Sequence, residues 1–82
     1  METNLTADEM LFEARRIQIR CALDMTHLGR AMRRACLLVL LEHVKVSSAA
    51  KRVRKPRQNV YRALIAVRPK LAEIEAYIKA GA

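Results

Sequence analysis

Residues 49–64 read AAKRVRKPRQNVYRAL. Six of the sixteen side chains are basic and none is acidic, yet small and apolar residues recur among them at helical spacing. A solvated helix face normally mixes charges of both signs. The stretch is therefore either an exposed basic helix or a pair of short helices meeting at a turn. Pro56 favours the second reading, because proline suits the first position of a helix, where its missing N–H costs nothing. Ser47 or Ser48 is a good N-cap for a short helix through Val53. Arg54 and Lys55 then form the turn, and the next helix runs from Pro56 to about Val67.

A helix-turn-helix makes three demands on such a stretch. The first helix needs a small residue where the second crosses it, the turn needs a residue that tolerates positive φ, and the second helix needs a branched apolar residue pointing into the angle between the two. Ala50, Arg54 and Val60 stand at those places, four and six residues apart, with Val53, Ala63 and Leu64 as supporting contacts. In the motif core, Ala50, Val53, Val60 and Leu64 are thus expected to be buried. Arg54 replaces the usual glycine at a cost of about 1 kcal/mol for a left-handed backbone. Lys55 stands where an apolar residue is usual.

The charge map of the whole chain centres on this segment. The net charge is +8 over 82 residues. Residues 44–72 carry nine basic side chains and no acidic one, while the other 53 residues hold seven basic and eight acidic groups. A polyanion is the partner that such a segment suits. Upstream, Thr6-Ala-Asp-Glu9 is a capping box, with Leu5 as its hydrophobic staple. It opens a helix over about 7–23 in which Met10, Ala14, Ile17, Cys21 and Met25 recur at three- and four-residue steps. Thr26 and Gly29 place a break at 24–29. A helix over 30–43 follows, apolar almost all round and hence buried in the core or in a dimer interface. Pro69 ends the fourth helix and opens a fifth over 69–79 or 69–80, whose stripe of Leu71, Ile74 and Ile78 serves core closure or dimerisation. The expectation is one all-α domain, 1–82, of about five helices.

Other chemistries find little support. No run reaches the roughly 18–20 apolar residues of a membrane span, and METNLTADE lacks the basic start and apolar middle of a signal peptide, so a cytoplasmic location is expected. Cys21, His27, Cys36 and His43 could be written as a zinc set, but their spacing lacks a close cysteine pair, and both cysteines sit in apolar helical patterns where a small buried thiol is ordinary. His43, in the last turn of its helix, favours the negative end. No carboxylate pair, nucleophile–base arrangement or Gly-rich phosphate loop suggests an enzyme or a cofactor.

The segment RACLLVLLEHVKVSSAAKRVRKPRQNVYRAL, residues 34–64, resembles the TrfB/KorA-type plasmid transcriptional repressors, with an apolar helix, a short linker and the two-helix motif in the same order. NLTADEMLFEA, with Thr6, Phe12 and Ala14, is similar to that family's start. The chain departs from the family in the turn and after residue 67. The resemblance implies a small bacterial protein that regulates plasmid genes as a homodimer, associated with plasmid or nucleoid.

In helix-turn-helix geometry the second helix enters the major groove with its N-terminal residues nearest the bases. Arg57 can grip guanine and Gln58 adenine with two parallel bonds each. Tyr61 and Arg62 lie one turn on and face outward when Val60 faces in, and Asn59 reaches either a base or only the DNA backbone. Ser47, Ser48, Lys51, Arg52, Arg54, Lys55 and Arg68 read as phosphate contacts. The expected function is a sequence-specific repressor of palindromic operators in double-stranded DNA, controlled by its concentration or by a protein co-regulator. An RNA-binding accessory protein and a basic helical protein-interaction adaptor are the alternatives, and the scarcity of aromatic residues argues against single-stranded RNA readout.

Overall fold

Four helices make up the fold in the computed structural model, which describes residues 6–81. They are α1 (Ala7–Asp24), α2 (Arg30–Leu40), α3 (Val46–Val53) and α4 (Arg57–Gly81), with no strand among the described residues.

The start of α1 follows from its sequence. The Glu9 N–H donates to Thr6 Oγ1 at 3.1 Å, and the Thr6 N–H donates to Glu9 Oε1 at 3.4 Å. This reciprocal pair satisfies donors that a helix N-terminus otherwise leaves open. The staple residue Leu5 lies outside the described residues. At the other end, the Thr26 hydroxyl donates to the Leu23 carbonyl at 2.6 Å, and Arg33 of α2 donates to the same oxygen at 3.2 Å. Arg33 also pairs with Asp24. A cation on the last carbonyls of a helix suits its negative end, and here it also fixes the corner between α1 and α2.

The core draws on all four helices. It comprises Ile19, Ala22 and Leu23 from α1, Ala35, Cys36 and Leu38 from α2, Ala49 and Ala50 from α3, and Val60, Ala63, Leu64, Val67 and Leu71 from α4. Five of these thirteen residues are alanine, so the helices approach closely and the core stays small. No charged or polar residue is buried with them among the described residues. Helices α2 and α4 each touch all three others, whereas α1 and α3 do not meet.

Several sequence-based expectations change. The periodic stripe Met10, Ala14, Ile17, Cys21 and Met25 is exposed, and α1 faces the core with Ile19, Ala22 and Leu23 instead. The sequence of α1 carries apolar residues on two sides, and periodicity alone does not choose between them. Cys21 is accordingly exposed, while Cys36 is buried. Helix α2 ends at Leu40, and His43 lies beyond it with φ 57°, outside any helical last turn. The segment from Ala35 to Leu41 and the residues Leu71 and Ile74 serve the protomer's own core. Ile78 is half exposed.

The expected fourth and fifth helices are one. Helix α4 passes through Pro69 without a break. Proline removes one donor and crowds the carbonyl four residues back, here that of Ile65. Ile65 and Pro69 are both exposed, so water can satisfy that carbonyl, while Val67 and Leu71 hold both sides of the proline against the core. Packing outweighs the local signal.

Candidate nucleic-acid interface

The corner between α3 and α4 is built around Arg54. Its backbone lies at φ 57°, ψ 45°, in the left-handed region. The Lys55 N–H donates to the Ala50 carbonyl at 3.0 Å, and the Arg54 N–H donates to the Lys51 carbonyl at 3.2 Å. These two bonds form a Schellman motif, which closes a helix C-terminus through one left-handed residue. Pro56 follows directly and cannot continue α3. Its carbonyl accepts from the Asn59 N–H at 3.0 Å, and α4 begins at Arg57, one residue after the expected start.

Inside the corner, Ala50 is 4 % exposed and Val60 is fully buried. Leu64 is buried with them, and Val53 packs against the same core from a half-buried position. The four motif positions read from the sequence thus all contribute to the inside of the corner.

Outside, every candidate contact residue is at the surface. Arg57, Gln58, Asn59, Tyr61 and Arg62 are exposed along the first turns of α4, and Arg68 follows further along. Lys51, Arg52, Arg54 and Lys55 are exposed around the end of α3 and the turn. Ser47 and Ser48 are exposed as well, but neither is the N-cap. That position is Lys45, which has no side-chain capping bond, and both serines lie inside the first turn of α3. Their backbone N–H groups belong to the open end of the helix, where an anion is favoured.

The charge on this face is uncompensated. The ion pairs among the described residues are Arg15–Glu75, Arg16–Glu13, Arg33–Asp24 and Lys70–Glu73. None involves Lys45, Lys51, Arg52, Arg54, Lys55, Arg57, Arg62 or Arg68. The pairs that do form use acidic groups from α1 and the C-terminal half of α4, so those carboxylates are occupied elsewhere.

Three contributors to this surface go beyond the residues that the sequence singles out. An open cleft of about 370 Å³ lies between α2 and the end of α3, lined by Arg30, Ala31, Arg34, Arg52, Val53 and Arg54. Four guanidinium groups surround a small apolar floor. Two of them, from Arg30 and Arg34, belong to a part of the chain that looks neutral when its charges are summed along the sequence. The run Arg30-Ala-Met-Arg33-Arg34 was the available signal. The third contributor is Ile65, which is 72 % exposed and continues the outward face of α4 beyond Tyr61 and Arg62.

Elsewhere, no group of three or more His, Cys, Asp or Glu side chains that could hold a metal ion occurs among the described residues. No helix of the described residues is long and apolar enough to cross a membrane. Burial pushes the Cys36 thiol up to about 11. No protein-family model, curated protein or solved structure matches the chain.

Proposed function

We propose that the chain is a sequence-specific DNA-binding protein, a transcriptional repressor that works as a dimer and reads the major groove through a helix-turn-helix made of α3, the turn at Arg54 and α4. The observation that carries this reading is the corner itself. A left-handed turn and an apolar inside present a face of unpaired cations, without an acidic group from residue 44 to residue 72.

The first turns of α4 supply base contacts in this reading. Arg57 pairs with guanine O6 and N7, Gln58 with adenine N6 and N7, and Tyr61 and Arg62 contact bases one turn deeper. Ile65 meets a thymine methyl group, the apolar feature of the major groove. From Arg57 to Ile65 the helix rises about 12 Å, comparable to the width of that groove. Ser47, Ser48, Lys51, Arg52, Arg54, Lys55 and Arg68 hold phosphates, and Arg30 and Arg34 extend the phosphate track across the cleft. The same residues support the likeness to TrfB/KorA-type plasmid repressors, a bacterial plasmid or nucleoid setting and the regulation of operator DNA.

The test is a fluorescence-anisotropy titration against duplexes selected from a random pool and against scrambled controls, over a range of salt. Specific binding survives salt that removes binding to scrambled duplex. Gln58→Ala relaxes the preference at one base pair, whereas Lys51→Ala weakens all duplexes about equally. Equal affinity for every duplex with a steep salt slope refutes the repressor reading. Tighter binding to helical RNA than to any DNA turns the face over to RNA, and binding to neither nucleic acid leaves an acidic protein as its partner.

A further inference from the structure

We propose that the outward face of α1 is a self-complementary seam on which a second copy of this chain docks antiparallel. Met10, Ala14, Ile17, Cys21 and Met25 fall within an arc of about 80° at 3.6 residues per turn. All five are exposed, with Met10 at 55 %, Ile17 at 58 % and Met25 at 50 %. The helix already meets its own core from the other side through Ile19, Ala22 and Leu23, and no described residue covers the stripe. Its first three steps, of four, three and four residues, are those of a helix pair that packs knobs into holes, and Met25 follows at the C-cap of α1.

Charge identifies the occupant as a second copy and sets its direction. Glu13 and Arg20 stand on the same flank of the stripe, four residues before Ile17 and three after it, and both are exposed. In a parallel pair the two copies would turn this flank to opposite sides of the seam, and Glu13 and Arg20 could not meet across it. An antiparallel pair centred on Ile17 brings the flank of one copy against the same flank of the other. Glu13 then faces Arg20 of the second copy, and Arg20 faces its Glu13. One sequence makes two opposite-charge contacts, as a two-fold interface requires. Arg20 has no ion-pair partner among the described residues, and Glu13 holds only its neighbour Arg16, at 3.3 Å. The apolar positions fall within one residue of a register centred on Ile17. Met10 opposes Met25, Ala14 opposes Cys21, and Ile17 meets its own counterpart at the axis. Because α1 touches α2 and α4 but not α3, this pairing leaves the corner at Arg54 uncovered. The seam names the surface for the dimer of the DNA-binding reading, yet it rests on α1 alone.

Sedimentation equilibrium of the full chain without DNA, over about 1–100 µM, tests the seam in the range expected for an interface of modest size. The expected result is a dimer that Ile17→Glu weakens about tenfold or more, with helicity by circular dichroism unchanged because Ile17 lies outside the core. Glu13→Arg weakens association, and adding Arg20→Glu restores it. Ala14→Cys yields a disulfide-linked dimer through Cys21 of the second copy when oxidised glutathione is supplied. A chain that stays monomeric throughout, or an Ile17→Glu variant that dimerises as tightly as the original, overturns the inference. A double variant no tighter than Glu13→Arg alone overturns the antiparallel register. Since association is read without DNA, its failure removes α1 as the dimer surface and leaves the DNA-contacting face of the proposed function standing, and an absence of DNA binding leaves the seam standing.

Discussion

Replacing Arg54 by glycine separates the two roles this residue holds. Its backbone sits in the left-handed region at φ 57°, ψ 45°, which costs an L-residue about 1–2 kcal/mol. Glycine removes that strain but loses more chain entropy on folding, about 0.5–1 kcal/mol. The Arg54 side chain is exposed and makes no ion pair among the described residues, so little else is lost. The two Schellman bonds are made by backbone groups and stay. The net expectation for Arg54→Gly is a gain of about 0.5–1 kcal/mol, which is a rise in Tm of roughly 2–8 °C for a domain of this size. Under the DNA-binding reading the same change removes one phosphate contact and lowers the slope of log affinity against log salt by about 0.9. Stability and salt slope thus move in opposite functional senses, and a thermal melt and a salt titration measure them separately. Arg54→Ala keeps the strain and should leave Tm near its original value, while the β-branched Arg54→Val should lower it. A lower Tm for Arg54→Gly than for Arg54→Ala would refute the account of the turn.

Three other outcomes follow from the packing and the charges. Ala50→Leu inserts three carbons where α3 meets α4 at a residue only 4 % exposed, and should cost about 1–3 kcal/mol in urea unfolding. Arg30→Ala with Arg34→Ala should reduce the DNA salt slope by about 1–2 without changing base preference, because two phosphate-binding groups are removed and no base-reading one is. An unchanged slope would place the cleft outside the DNA footprint. Cys36, fully buried with its thiol held up to about 11 against an ordinary 9.0, should resist thiol reagents in the folded chain, while Cys21, exposed in the protomer, reacts at concentrations too low for the seam to form. Above pH 9 the unfolded Cys36 ionises and the folded one does not. Folding stability linked to this thiol is therefore complete below pH 9 and is lost as pH rises toward 11, by up to about 2–3 kcal/mol. Cys36→Ala should abolish that part of the pH dependence in alkaline unfolding curves.

The sequence is most informative where local chemistry and tertiary packing agree. The capping box at Thr6 and Glu9, the break near Gly29 and the positive φ at Arg54 all appear in the structure, because each is settled by groups a few residues apart. The burial of Ala50, Val60 and Leu64 was legible for the same reason. Pro69 misleads because its local cost is outweighed by Val67 and Leu71, whose burial depends on the rest of the fold. Helix α1 misleads differently, since Met10, Ile17 and Cys21 keep as regular a period as Ile19 and Leu23, and only the position of α4 selects between them. The arginine cleft was hidden because charge was summed along the chain, while Arg30 and Arg34 meet Arg52 and Arg54 only in space.

The continuity of α4 has a mechanical consequence. One rod of 25 residues, about 37 Å long, joins the basic corner at Arg57 to the Glu75 region that Arg15 ties to α1. Buried residues anchor this rod on both sides of Pro69, with Val60, Ala63, Leu64 and Val67 before it and Leu71 after it. The direction in which the Arg57 tip points is therefore set by the whole core and not by the turn at Arg54 alone. The basic corner is a bracket bolted to the body of the molecule along the length of its longest helix.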